Sequence, residues 1–523
     1  MQIIDQIRNN SPSALVVLTC LSVIAASVAW WSMASGIGVG PDSVMFLSSA
    51  ESWLAGRGLT PIAYHFTPLF PAGKPLVGLA PTYPLLLALG HFLTTNMLTE
   101  ARCLHALLFG LNTFLIGSIA YWSTRKSMSA TIAAATLFMI SAHVLEQLAI
   151  ASSEAPFITF TLLATFMLLL YLERRRFSLL IAASLAAALA MTTRFVGVTI
   201  LPAMLLAILF YRKRSLTRTL RDCAIALIVA LGPLLAVLVH NRTVAGTSTN
   251  RTLAFHAVGL SDLGNLSVGF AAFLLPFNVP FALGLVVLAL CAVLIAAAIL
   301  TSLPNHKRGK DENRAAQFFS AVFTATYLSF LVVYNSLANP AVELSTRTLL
   351  PFYVFAIVVV VTFANGSFGR SRIVWKSFLL LTILIVLLNA RYTAAYVKYR
   401  HEQSFGFANS EWTGSATMAY ARSLPPGTVV YSNAIDAIFL LTHKDALRIP
   451  AKIDPSTGQA NNDFASSMSQ LQEALRNDNA VVVYFDKVTW RWYLPSKDEL
   501  EKVHQLPVRR QLADGVIYGL PPH

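Results

Sequence analysis

The sequence predicts a polytopic α-helical membrane protein that ends in an extracytoplasmic α/β domain. Composition supplies the first sign. Of 523 residues, 55% are hydrophobic and only 12% are charged, with a mean hydropathy of +0.61, a balance outside the range of ordinary soluble domains. Apolar runs near the length that a bilayer demands then recur about eleven times. Finally, from about Ser410 onward charged residues become frequent, and short apolar strands alternate with amphipathic stretches.

Taken in order, the spans are expected at Ser13–Met33, Ala101–Trp122, Ser129–Leu148, Ala155–Leu172, Leu179–Met191, Val196–Tyr211, Cys223–Val239, Phe281–Leu303, Phe318–Leu337, Leu349–Ala364 and Val374–Asn389. Ser27-Val28-Ala29, with small residues at the right spacing behind an apolar core, also fits a signal-peptide cleavage site, and that alternative leaves Asp42 on the same side. Basic residues orient the set. Arg125 and Lys126, Glu173–Arg176, Arg212–Arg214 with Arg218 and Arg221, Lys307–Lys310, and Arg370 with Arg372 and Lys376 all fall on the face that holds Arg8. The positive-inside rule makes that face cytoplasmic. Residues 1–390 then form the transmembrane domain, with an outer-face loop at 41–100, and 391–523 form the extracytoplasmic domain. The outer-face loop and the tail are then expected to be periplasmic or luminal, with the N-terminus cytoplasmic.

The formal charge of +14 is therefore topology information, and no nucleic-acid partner is expected. Cys20, Cys103, Cys223 and Cys291 lie in or beside apolar stretches with no disulfide or metal spacing, which excludes redox and zinc chemistry. In the tail, Thr428–Ser432 and Ala480–Asp486 read as buried strands and Met468–Arg476 as a helix. Gly36-Ile37-Gly38-Val39-Gly40 follows no strand, so nucleotide binding has no support.

Several polar residues remain to be explained. Gly40-Pro41-Asp42-Ser43, with Phe46, Ala50, Trp53 and Leu54 at helical spacing, reads as an amphipathic helix on the outer surface. Asp42 stands at its start, either as a simple N-cap or as a functional carboxylate. Glu154, in Ser152-Ser153-Glu154-Ala155-Pro156, enters a span from outside, and capping is again the plain alternative. Arg194, Arg242, Arg251 and Arg347 recur at that level, where the positive-inside rule supplies no reason for them. Singly each can snorkel or pair with Glu154 or Glu343; together they suggest a cavity that neutralises an anion presented from the lipid. The proline- and aromatic-rich stretch from Pro61 to Pro84 adds His65 and Lys74 as candidate ligand contacts, followed by a short apolar helix at Leu85–Leu93.

A sugar on a lipid phosphate would suit these parts. Cleaving the sugar–phosphate bond returns negative charge to phosphate, which fixed arginines stabilise. Because phosphate is a competent leaving group, one carboxylate acting as base on the acceptor is enough. Phosphate and carboxylate together also suit Mg²⁺ or Mn²⁺, though the sequence shows no ligand cluster.

Asp42 in GPDSVMFLSSAESWLAGRGL, PTYPLLLAL at Pro81–Leu89, Ser153-Glu154, Thr193-Arg194-Phe195, HNRTVAGTSTNR at His240–Arg251 and RTLLP at Arg347–Pro351 together carry a resemblance to a known family. The chain resembles the GT-C integral-membrane glycosyltransferases that use polyprenyl-phosphate sugars, the group of protein O-mannosyltransferases and lipid A aminoarabinose transferase. That resemblance implies a catalytic base at Asp42, and phosphate- or acceptor-binding roles for Glu154, Arg194, Arg251 and Arg347. It implies an inverting hexosyl or pentosyl transferase taking a polyprenyl-phosphate-linked sugar, with membrane lipid and an extracytoplasmic acceptor as its partners. Protein O-mannosyltransferases place two adjacent acids in the first outer loop, whereas Ser43 follows Asp42 here, which favours a bacterial glycan- or lipid-modifying relative and, with it, a bacterial inner membrane as the expected location. The rival readings are a secondary transporter or lipid flippase, which would show repeats and mid-membrane charges, and a scaffold, which leaves the outer arginines unexplained.

Overall fold

The computed structural model describes residues 12–61, 66–67, 70–71, 76–92, 94, 96–211, 215–255, 257–303, 313–339, 344–367, 372–454, 458–476 and 480–520. His65, Lys74 and Glu343, named above, lie outside the described residues, as do Arg8, Arg212–Arg214, Lys307–Lys310 and Arg370.

Helix α1 (Pro12–Ser32) is followed by α2 (Pro41–Leu54), a two-residue hairpin of β1 (Phe66–Thr67) and β2 (Phe70–Pro71), α3 (Thr82–Gly90) and α4 (Met97–Ser123). Next come α5 (Met128–Met139), α6 (Ala142–Leu148), α7 (Glu154–Arg174), α8 (Phe177–Thr193), a 3-10 turn at Phe195–Thr199, α9 (Ile200–Phe210) and α10 (Leu216–Ala245). The bundle is completed by β3 (Thr252–Leu253), α11 (Leu260–Ala272), α12 (Phe281–Ser302), α13 (Asn313–Leu337), β4 (Ala338–Asn339), α14 (Thr346–Ser367) and α15 (Arg372–Glu402).

Each of the eleven predicted spans is helical, but not all are single membrane-length helices. Among the described residues, eight helices are long and apolar enough to cross a bilayer: α1, α4, α7, α10, α12, α13, α14 and α15. The predicted span Ser129–Leu148 is instead the pair α5 and α6, bent by 63°. Ser141, extended at the break, starts a new helix there (φ −76°, ψ 117°). The two remaining segments, α8 and Phe195–Phe210, are shorter apolar helices. Burial separates core from periphery. The most apolar window of α7 is 89% buried and that of α15 only 11%, so α7 is central and α15 presents its apolar surface to lipid.

The C-terminal domain holds α16 (Ser410–Thr413), α17 (Ala416–Ser423), β5 (Val429–Ser432), α18 (Ile435–Thr442), β6 (Leu447–Arg448), α19 (Phe464–Arg476), β7 (Ala480–Phe485), β8 (Val508–Leu512) and β9 (Gly515–Tyr518). The sheet order is β6-β5-β7-β9-β8. β5 runs parallel to β6 and β7, and β9 pairs antiparallel with β7 and β8. Alternation along β7 explains why its whole run is apolar. Val481, Val483 and Phe485 join the core continuous with the helical bundle, while Ala480 and Val482 face a second core with Met468, Leu471 and Leu475 of α19. One face of the sheet is thereby packed into the same apolar body as the membrane helices.

Candidate active site

Three chain segments meet at the end of the bundle that carries the C-terminal domain. Ile37–Gly40, leading into α2, runs extended between Ala149–Ala151, which leads into α7, and Phe405–Phe407, which leads into the C-terminal domain. On one side the Gly38 N–H donates to the Ala149 carbonyl at 3.0 Å and the Ala151 N–H to the Gly38 carbonyl at 2.8 Å. On the other, the Val39 N–H donates to the Phe405 carbonyl at 3.0 Å and the Phe407 N–H to the Val39 carbonyl at 2.8 Å. Backbone pairing therefore fixes the starts of α2 and α7 relative to each other.

From those starts project two carboxylates. Asp42 lies in the first turn of α2, but the N-cap is Gly40, whose N–H donates to the Ser43 hydroxyl at 3.0 Å. Capping is thus handled by Ser43. The Asp42 Oδ2 accepts instead from Arg347 Nη1 at 2.8 Å, with both side chains 39% exposed. Glu154 is the first residue of α7 and is buried; its Oε1 takes Arg347 Nε at 2.5 Å and pairs with Arg194 Nη1. Its Oε2 is buried with no hydrogen-bond partner among the described residues. Asp42, Arg347, Glu154 and Arg194 thus form one continuous chain of ion pairs, neutral by formal count and open at the Asp42 end.

Local sequence explains the placement of the arginines. Arg194 is the extended residue (φ −147°, ψ 127°) between α8 and the 3-10 turn, so its side chain leaves a helix end toward α7. Arg347 sits in the first turn of α14, and Pro351 follows one turn later inside that helix. Proline has no N–H to give the Arg347 carbonyl, which loosens the helix at that residue. Arg251 is exposed in the loop just before β3, next to Asn250, whose Cβ approaches Gly78.

Sequence reasoning missed a buried group behind Glu154. His105 of α4 donates through Nδ1 to the Leu148 carbonyl at 2.7 Å, leaving Nε2 to accept from the Tyr83 hydroxyl of α3 at 2.8 Å. Tyr327 of α13 donates to the Thr348 carbonyl at 2.8 Å, one residue beyond Arg347. A lone histidine inside an apolar span was the available signal, since ionisable groups are rare there. The apolar face of α2 also differs in detail. Val44, Phe46, Leu47 and Ala50 are buried, whereas Trp53 and Leu54 point outward.

A cation bridging the two acids would have to displace Arg347, which already spans them. Among the described residues no group of three or more His, Cys, Asp or Glu side chains is placed to hold a metal ion.

Residues 75–240 match the family model described as dolichyl-phosphate-mannose-protein mannosyltransferase. Among solved structures, ArnT from Cupriavidus metallidurans in the apo state aligns over 97% of this chain and 98% of its own, with a TM-score of 0.57 and 13% identity. This chain has the GT-C fold. ArnT bound to undecaprenyl phosphate gives a TM-score of 0.54 at 14% identity, over 95% of this chain and 97% of that one. The Archaeoglobus fulgidus oligosaccharyltransferase, solved with zinc and sulfate, gives 0.55 at 13% identity, over 91% of this chain and 68% of its own. No curated protein matches in a search by sequence. The GT-C fold and its apolar helices make this an integral-membrane protein.

Proposed function

We propose that the protein is an inverting glycosyltransferase that moves a hexosyl or pentosyl group from a polyprenyl-phosphate donor to an extracytoplasmic acceptor in the cell envelope. The observation that carries this reading is the open chain of ion pairs. A half-exposed carboxylate, Asp42, is held by Arg347, and Arg347 and Arg194 are both fixed by a buried acid, Glu154. The match to a dolichyl-phosphate-mannose-protein mannosyltransferase model supports a lipid-phosphate donor, as does a structural relative solved with undecaprenyl phosphate. Arg174 closes α7 at the far end from Glu154, and Arg125 and Lys126 lie beside it through the Trp122–Glu173 hydrogen bond. Those basic residues support a cytoplasmic placement of that end, with the site and the C-terminal domain on the outer face of a bacterial inner membrane.

In this reading the donor phosphate docks against Arg347 and Arg194. Drawing Arg347 toward phosphate frees the Asp42 carboxylate. Asp42 then takes the proton of the acceptor hydroxyl as its oxygen bonds to the anomeric carbon. The bond from that carbon to the phosphate oxygen breaks on the opposite face, its electron pair leaves with polyprenyl phosphate, and the arginines meet the returning charge. A single displacement inverts the anomeric configuration. Arg251 is assigned to donor or acceptor contact, and His65 and Lys74, outside the described residues, keep from the sequence alone the same assignment. No step passes through a metal ion.

The test offers purified protein in lipid a panel of polyprenyl-phosphate sugars and follows release of polyprenyl phosphate together with the anomeric configuration of the product. Transfer with inversion supports the reading. Retention of configuration, or transfer only from nucleotide sugars, would overturn it.

A further inference from the structure

We propose that Arg400 is a positioning residue for Asp42 and Glu154, acting through the backbone clasp from which both acids project. The proposal rests on the reading of those acids as the working site.

Arg400 lies near the end of α15, and its side chain is 1% exposed despite its charge. It contacts two strands of the clasp and lies beside the third. Its Nη2 donates at 3.4 Å to the Ala149 carbonyl, the same oxygen that accepts the Gly38 N–H. Its guanidinium carbon stands 5.4 Å over the ring of Phe405. A Cβ on Gly38 would come within 3.2 Å of Arg400 Nη2, 3.2 Å of the Ala149 oxygen and 3.0 Å of Ile150 Cγ1. A side chain at Gly38 would therefore press on Arg400 and on the Ala149–Ile150 strand. Ala149 is also the C-cap of α6, where the carbonyl end of a helix favours a cation.

The energetics argue that stability is not what this arginine supplies. Its Nε and Nη1 are buried without a hydrogen-bond partner among the described residues, and an under-satisfied buried charge is costly. An apolar side chain of similar volume would fill the space without that cost. What the guanidinium does that methionine cannot is hold the Ala149 carbonyl in place. That carbonyl sets the distance between the Gly38 strand, four residues before Asp42, and the residues leading to Glu154. The clasp also reaches the C-terminal domain. Gly406 has φ +63°, and a Cβ there would sit 2.1 Å from the Val39 oxygen, so the domain's first residues press directly on the strand that carries Asp42.

The experiment compares Arg400→Met, Arg400→Lys, Gly38→Ala and Gly406→Ala in the full-length protein. Readouts are kcat, donor KM, thermal stability, and binding of undecaprenyl phosphate by native mass spectrometry. Arg400→Met is expected to lower kcat by about tenfold to a hundredfold, the scale of a misplaced catalytic group. Donor KM and undecaprenyl-phosphate binding should worsen together with kcat, because the displaced Glu154 holds Arg194 and Arg347, while thermal stability should be equal or higher. Arg400→Lys should recover part of the loss, and Gly38→Ala and Gly406→Ala should reproduce it. A lower melting temperature with wild-type kcat per folded molecule would overturn the proposal and leave Arg400 a structural residue. Should Arg400→Met fail to reach the membrane, wild-type kcat in both Arg400→Lys and Gly38→Ala would overturn it equally. Asp42→Asn run alongside separates the two levels. An active Asp42→Asn refutes the reading of the site, whereas an inactive Asp42→Asn beside a fully active Arg400→Met refutes only the role of Arg400.

Discussion

Asp436 and Arg491 in the C-terminal domain meet at 2.7 Å with side chains 0% and 8% exposed, whereas Asp42 and Arg347 meet at 2.8 Å with both 39% exposed. Around the first pair further hydrogen bonds extend the contact, and Asp436 Oδ1 accepts from the Ala437 N–H at 3.2 Å. Arg491 also donates to the Asn433 carbonyl at 2.7 Å, and the Asn433 side chain exchanges two 2.9 Å hydrogen bonds with the backbone of Phe485 at the end of β7. Around the second, Asp42 faces solvent, and Glu154 keeps a buried oxygen with no hydrogen-bond partner among the described residues. One pair of residue types thus serves two ends. Closed and buried, it ties β5, α18 and the loop after β7 into one unit; open and partly unsatisfied, it can exchange a partner for a ligand.

The largest effect that would sharpen this contrast is on turnover. Asp42→Asn should cut kcat by about 10²- to 10⁴-fold, the usual weight of a positioned base, with the melting temperature unchanged. Wild-type transfer by that variant would remove Asp42 from the chemistry. Next in size, Asp436→Asn should cost about 3–5 kcal/mol of stability by leaving Arg491 buried without its partner, while the folded fraction keeps its donor KM. Chemical denaturation together with activity per folded molecule checks both halves. Arg194→Ala and Arg347→Ala should each raise donor KM by about tenfold to a hundredfold, as expected for lost charged hydrogen bonds, and change acceptor KM far less. An effect confined to the acceptor would contradict a phosphate role.

The smallest effect is one of pH, at the edge of the C-terminal domain. Hydrogen bonds from Lys452 Nζ, at 2.8 Å to both oxygens, and from the Ser496 N–H hold the Glu499 carboxyl below its ordinary value of 4.5. The folded state then binds fewer protons there than the unfolded chain. Stability from this contact is complete above about pH 4.5 and drains away as the pH falls below it. Lys452→Met should flatten that part of the acid stability curve by a few tenths of a kcal/mol.

How much of this was legible beforehand follows from what a sequence encodes locally. Apolar runs found every helix from α4 to α15 that crosses or nearly crosses the membrane, because span length is a one-dimensional property. They did not reveal the break between α5 and α6. No proline or glycine marks it, and Ser141 with His143 and Glu146 beyond was a faint helix-start signal inside an apolar stretch. The acids and arginines stood out as charges with no topological reason to be there. That Arg347 bridges residues 42 and 154 is a fact of tertiary packing, since these positions come from three different helices. His105 could be flagged as a lone histidine in an apolar span, but its pairing with Tyr83 is again a fact of tertiary packing. Arg400 reads in sequence as one more basic residue after a span, and only its contact with Ala149 sets it apart.

An experimental structure with polyprenyl phosphate bound would test the central claim most directly. The phosphate is expected within hydrogen-bonding distance of both Arg347 and Arg194, with the Asp42 carboxylate released from Arg347 and turned toward open space for an acceptor hydroxyl. A phosphate seated away from both arginines, with the Asp42–Arg347 contact intact, would contradict it.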